Sequence, residues 1–162
     1  MAPAGYSRFL RGEGDAPAQA ALSYVEDALG AGQRVYLVRF LRGGLERRDL
    51  RMAERYAGHL EVRAMGRDGP VDPQSPDPVD VKWAEDGLAL GRRALHKGDW
   101  DVVVLVGVTR AVALGLLDLD RVLELLDEQP DSMELLLTGP AISEELAGSV
   151  DEVRDFPEGA RT

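Results

Sequence analysis

The chain has 162 residues, 44% of them hydrophobic and only 6% aromatic, which favours one domain with a core of Leu, Val and Ala. Its 29 acidic against 19 basic residues give a net charge of −10, and repulsion from phosphates then excludes general nucleic-acid binding. The absence of cysteine excludes disulfides, thiolate nucleophiles and thiolate metal sites.

The first apolar run, YSRFL at residues 6–10, reads as a weak strand. GEGDAPAQAAL follows from Gly12 to Leu22, a glycine turn opening into a helix. In that helix Ala21, Tyr24, Val25, Ala28 and Leu29 repeat at three and four, and Gly30 and Gly32 supply the stop. RVYLVRF at residues 34–40 predicts a buried strand. The next segment, residues 45–58, predicts a charged helix with Leu45, Leu50, Ala53 and Tyr56 inward. LEVRAM at residues 60–65 predicts a short strand.

From Gly66 to Pro78 the chain reads GRDGPVDPQSPDP, whose prolines and glycines make an internal surface loop. Residues 79–98 predict a helix weakened by Gly87 and Gly91, with Trp83 expected in the core. DVVVLVGV at residues 101–108 is apolar on both faces, the mark of a central parallel strand. A helix capped by Asp118 or Asp120, a buried strand at residues 132–139, a short helix capped by Ser143 and an edge strand or extended tail at residues 150–156 complete the chain. Strands joined by helices imply a mostly parallel sheet with helices on both faces, an α/β fold of three layers.

His59 and His96 are far apart and have no His-x-His partner, so no metal site is expected. MAPAGYSRFL lacks an apolar signal core, and no run approaches the roughly 20 residues of a membrane span. A soluble cytoplasmic protein is expected. The arginine-rich stretch with Arg39, Arg42, Arg47, Arg48, Arg51 and Arg55 alternates with Glu46, Asp49 and Glu54. That neutralisation predicts a salt-bridged, solvated helix and not a nucleic-acid patch.

Several phrases carry a resemblance. GQRVYLVRFLRGG resembles the second strand and following loop of the ATP-dependent corrinoid adenosyltransferases. The stretch from Gly98 to Ala141 is similar to that family's Walker-B strand, its Gly-Leu-Leu turn, the next helix and its Leu-Thr-Gly-Arg strand end. The most specific part runs from Gly115-Leu116-Leu117-Asp118 to Leu137-Thr138-Gly139, and the similarity spans Tyr6 to Phe156. The resemblance implies a RecA-like P-loop fold and a homodimer. It also implies a reaction in which a cobalt(I) corrinoid attacks the 5′ carbon of ATP and triphosphate leaves, with ATP, Mg and a corrinoid as the groups to be held.

The family's phosphate loop reads Gly-x-Gly-Lys-Gly-Lys-Thr-Thr. The same places here hold Gly12, Glu13, Gly14, Asp15, Ala16, Pro17, Ala18 and Gln19. Both lysines are replaced, by Asp15 and Pro17, and the magnesium-binding threonine by Ala18. A phosphate loop aims N–H groups and a lysine at anionic oxygens, yet proline has no N–H. One unit-charge repulsion between a carboxylate and a phosphate at about 4 Å and an effective dielectric of 20 is about 4 kcal/mol. Pro17 and Asp15 instead suit a helix start, with Asp15 as cap.

The Walker-B acid and its glutamate neighbour fall on Val106 and Gly107, and valine offers no oxygen to a hard cation. The third motif reads Thr138-Gly139-Pro140, without its phosphate-binding arginine. Arg8, Arg11, Arg39 and Arg42 are candidate substitutes near the strand ends. The expectation is a degenerate relative with no catalytic residues and no cofactor. It would be a non-catalytic binding or regulatory module acting on itself or a partner protein. An active or residually active adenosyltransferase and a non-catalytic corrinoid binder are the alternatives.

Overall fold

The computed structural model describes residues 5–157. In chain order the elements are β1 (Ser7–Arg11), α1 (Ala16–Gly30), β2 (Val35–Phe40), α2 (Arg47–Arg55), β3 (Leu60–Met65), α3 (Pro78–Lys97), β4 (Val102–Val106), α4 (Val108–Ala113), α5 (Leu119–Asp127), β5 (Glu134–Gly139), α6 (Glu144–Ser149) and β6 (Glu152–Asp155). The strands form one sheet in the order β3-β2-β4-β5-β1-β6. Every pairing is parallel. The apolar run at residues 101–108 therefore supplies a central strand, as its two-sided hydrophobicity predicts.

Alternation along each strand divides the core. Phe9, Val38, Phe40, Val103, Leu105, Leu135 and Leu137 meet α3, α4, α5 and α6 on one face. Leu10, Val35, Leu37, Val104, Val106 and Leu136 meet α1 and α2 on the other. These are the helices on both faces of the three-layer α/β arrangement, consistent with a P-loop fold. A fully buried side chain such as Leu22, on α1, contributes about 1.5–3 kcal/mol.

Four local expectations change. Leu50 is 54% exposed, and Asp49 and Met52 turn inward in its place, because α2 starts only at Arg47 and buries a narrow stripe. Trp83 lies on the outside of α3, 36% exposed, since the sheet-facing side of that helix is taken by small residues. Gly87 and Gly91 are those residues. A Cβ on Gly87 would come 2.9 Å from the Phe40 ring, and one on Gly91 2.8 Å from a Leu105 methyl carbon. Their cost in helix propensity is offset by close packing. Finally, α4 is too short to show a helical period in the sequence. Asp118 takes the N-cap position of α5 without a side-chain cap bond, whereas Ser143 caps α6 by accepting from Glu145 and Leu146 N–H groups.

The loop from Gly66 is tied down at both ends. Arg67 grips the buried Asp80 in α3 with bonds of 2.6 and 3.0 Å. Gly66 lies so close to the backbone after β2 that a Cβ there would sit 2.5 Å from Arg42 N.

Candidate functional site

β4, β5 and β1 are neighbours and run the same way, so their C-terminal ends open at one edge of the sheet. That edge, beyond the carboxyl ends of parallel strands, is where open α/β sheets place ligands. Residues from the phosphate-loop, Walker-B and Thr-Gly-Arg positions meet there around a pocket of about 190 Å³. A larger cavity of about 310 Å³ lies between α3 and α5 over Leu88 and Leu125; Leu117 and Asp118 of the Gly-Leu-Leu turn line it, but no phosphate-loop, Walker-B or Thr-Gly-Arg position does. The smaller pocket is the candidate site, because three separate chain segments converge on it.

Gly12 donates its N–H to Gly139 O (2.9 Å), joining the ends of β1 and β5. Gly14 has φ of +75°, the left-handed turn that redirects the chain into α1. Asp15 occupies the N-cap position, but its side chain does not cap. Its carboxylate accepts from Gln19 Nε2 at 2.9 Å. Ala16 opens α1, Pro17 is buried in its first turn, and Ala18 packs toward the apolar face. Gln19 Oε1 accepts from Arg48 Nη1 of α2 at 2.7 Å.

Val106 ends β4, 6% exposed, on the α1 face beside Arg39 in register. Gly107 has φ of +83° and donates its N–H to Thr138 Oγ1 at 2.9 Å. Gly139 has φ of +138°, and a Cβ there would come 2.2 Å from Thr109 Oγ1. That Thr109 hydroxyl donates to Pro140 O at 2.8 Å. Thr138, Gly139 and Pro140 thus make a turn bonded to Gly107, Gly12 and Thr109.

The candidate substitute arginines separate. Arg8 is remote from the pocket, between the rings of Tyr6 and Tyr24 at 4.4 and 5.0 Å, and 3.5 Å from both Glu134 and Glu152. Arg11 is forked onto Asp155, which its guanidinium holds below the ordinary carboxylate value. Arg39 and Arg42 do line the pocket. Arg42 pairs with Glu46 at 2.7 Å. Arg39 is 2% exposed, so it is no part of a solvated face. It donates from Nη2 to Asp49 Oδ1 at 2.9 Å, with Nε 2.6 Å from Oδ2. The Nε contact is close enough for charge pairing but not aligned as a hydrogen bond. Asp49 Oδ2 also accepts the Glu46 N–H at 3.1 Å, so the pair fastens β2 to the start of α2.

One pocket residue escaped the sequence reading. Arg110, in α4, lines the pocket and donates from Nη2 to Glu13 Oε1 at 2.8 Å. The only signal was an arginine three residues beyond Gly107, in a helix not recognised. Leu41 also lines the pocket, with φ of 67°, the one non-glycine residue of positive φ among the described residues. Strained backbone of this kind costs about 1–3 kcal/mol and gathers at ligand sites. Among the described residues no group of three or more His, Asp and Glu side chains is placed to hold a metal ion. Likewise, no helix is long and apolar enough to cross a membrane.

Comparison with known proteins agrees with the fold. The chain is 31% identical over 153 residues to an uncharacterised protein of Nostoc sp., covering 86% of this chain and 40% of that protein. It therefore spans well under half the length of that relative. It is 26% identical over 145 residues to a corrinoid adenosyltransferase of Pseudomonas aeruginosa, covering 90% of this chain and 71% of the relative. It is also 26% identical over 148 residues to a corrinoid adenosyltransferase of Escherichia coli, with coverages of 88% and 73%. The family described as ATP:corrinoid adenosyltransferase BtuR/CobO/CobP matches residues 4–159, and this chain belongs to it.

Proposed function

We propose that this chain has lost magnesium–ATP binding and adenosyl transfer and acts as a non-catalytic binding or regulatory module built on the family fold. The observation that carries this reading is that the polar groups around the pocket are already engaged with one another. Gly12 N–H holds Gly139 O, Gly107 N–H holds Thr138 Oγ1, and Thr109 holds Pro140 O. Arg39, Arg42 and Arg110 each hold a carboxylate of the same chain.

The residues present do not fit a magnesium triphosphate. Pro17 has no N–H for a phosphate oxygen, Val106 has no oxygen for a hard cation, and Asp15 places a carboxylate in the pocket lining. Val106 belongs to the apolar cluster of Leu10 and Leu22, and Arg39, its neighbour in register, is committed to Asp49. The Nostoc relative supports a modular role, because the matched region makes up less than half of that protein. The natural partner in this reading is a second copy of the chain or another protein.

One observation favours the other reading, an active adenosyltransferase with recruited ligands. Three arginines line the pocket, and Arg is a good phosphate partner when free. Calorimetric titration with MgATP separates the two. No binding at millimolar nucleotide is expected. Micromolar binding, with adenosylcobalamin formed from reduced corrinoid and MgATP, would overturn the proposal.

A further inference from the structure

The sheet ends in two edge strands, β3 and β6. An edge strand presents a row of unpaired N–H and C=O groups, a template for another strand. His59 O and Met65 O, at the two ends of β3, accept from the Val35 and Leu41 N–H groups, so the odd-numbered residues aim their backbone at β2. Alternation then turns the backbone of Leu60, Val62 and Ala64 to the open side. Leu60 N–H is taken by Tyr56 O at 3.2 Å, while the Val62 and Ala64 amides have no strand across from them among the described residues.

Charges on an edge strand usually guard it against pairing. Glu61-Val62-Arg63 instead complements itself. In an antiparallel pairing about a two-fold axis through Val62, Val62 meets Val62 of the second copy as a hydrogen-bonded pair, and Leu60 meets Ala64. Glu61 then stands opposite Arg63 in the non-hydrogen-bonded position, where cross-strand side chains come closest. Beyond them His59 falls opposite Met65. Within one copy Glu61 and Arg63 pair at 2.7 Å, and the pairing gives each a second opposite charge.

The helix above this edge adds apolar surface. Val79, Trp83, Asp86, Leu90 and Arg93 recur at three and four along α3 and share a stripe. A Cβ on Gly87 would come 3.2 Å from Met65 Cβ, so α3 lies over β3. Burial raises the Tyr36 hydroxyl above its ordinary pKa and the charges of Arg63 and Arg93 oppose this, which places the stripe on the β3 side of the helix. Val79 and Trp83, on that stripe, are 45% and 36% exposed. A two-fold axis normal to the sheet sets the two α3 helices side by side on one face and covers them. β6 is less suited, because Arg8 and Arg11 of β1 hold its Glu152 and Asp155.

We infer that the chain pairs with a second copy of itself through the β3 edges, joining two six-stranded sheets into one. The inference rests on the proposed function for its partner, a second copy. It is independent of nucleotide loss, which the MgATP titration tests by itself.

Sedimentation equilibrium of the full chain measures the dimer. Glu61→Arg sets arginine opposite arginine at both crossings, and Arg63→Glu sets glutamate opposite glutamate. Each is expected to weaken dimerisation about tenfold or more. An equimolar mixture of the two variants should form a heterodimer as strong as the unaltered dimer, and the double variant Glu61→Arg with Arg63→Glu should recover. In the ¹⁵N-labelled chain, the Val62 amide should be protected from hydrogen exchange at high concentration and open on dilution. The inference is overturned if both single variants still dimerise, if mixing restores nothing, or if Val62 exchanges alike at both concentrations. A dimer broken by Arg154→Glu and not by Arg63→Glu would move the seam to β6 and overturn it too. A chain that stays monomeric at millimolar concentration removes the second-copy partner along with the seam, whereas a dimer indifferent to the β3 changes removes the seam alone.

Discussion

Val106 shows how one residue changes what a strand end can do. It sits 6% exposed on the α1 face, beside the buried Arg39 and in the same apolar cluster as Leu10 and Leu22. Restoring the family's acid here would bring a carboxylate into that cluster with no cation free, since Arg39 is committed to Asp49. Val106→Asp is expected to destabilise the fold by about 3 kcal/mol, read as a lower urea midpoint, and to produce no magnesium affinity in a metal titration. A gain in either stability or metal binding would contradict this account of the pocket. Gly107 adds a backbone reason. Its φ of +83° is strained for any residue with a Cβ, so the family's glutamate could not return without moving the turn. That Pro17, Val106 and Pro140 lack the groups carried by the motifs they resemble was legible from residue chemistry alone. The bond from Arg110 to Glu13 was not, because 97 positions separate its partners.

Among elements, the junction of β2 and α2 departs furthest from what composition suggests. A run of six arginines among acids reads as solvated surface, yet its first arginine and its second acid form a pair exposed by only 2% and 0%. Removing one partner of such a pair leaves an uncompensated buried charge. Asp49→Ala is therefore expected to cost about 3–5 kcal/mol, whereas the double change Arg39→Met with Asp49→Leu should be near neutral or stabilising. Urea unfolding of the three proteins checks this. Equal losses in the single and double variants would mean that the pair's charge is not what matters. The expected position of Leu50 fails for the same reason, since α2 turns Asp49 inward to meet Arg39. In α3 the two glycines carry opposite meanings at two levels. Locally they weaken the helix, and in the fold they let it approach Phe40 and Leu105.

Across the whole molecule, ion pairs hold distant segments together and set a direction for acid stability. Asp80 is held below its ordinary value of 3.8 by hydrogen bonds from Arg67, Asp155 below 3.8 by Arg11, and Glu128 below 4.5 by His96 and Arg92. A carboxyl depressed in the folded state stabilises fully above its unfolded value, and that contribution is lost as pH falls through the folded value. Stability is thus expected to fall as pH drops below about 4, with Arg67→Gln flattening the decline by removing Asp80's part. Urea midpoints measured at descending pH test this, and an unchanged slope in the variant would exclude the Arg67–Asp80 contact as a cause. The sequence alone determined the alternation of strands and helices and the central place of the run ending in Val106. Those features are local, set by hydrophobic period, turn residues and the atoms each side chain carries. Only the tertiary structure decided that the three strand ends share one pocket, that Arg39 is buried and Arg8 remote, and that Arg110 faces Glu13. Parallel strands bring together residues far apart in the chain, and whether a charge is paired depends on what stands opposite it in space.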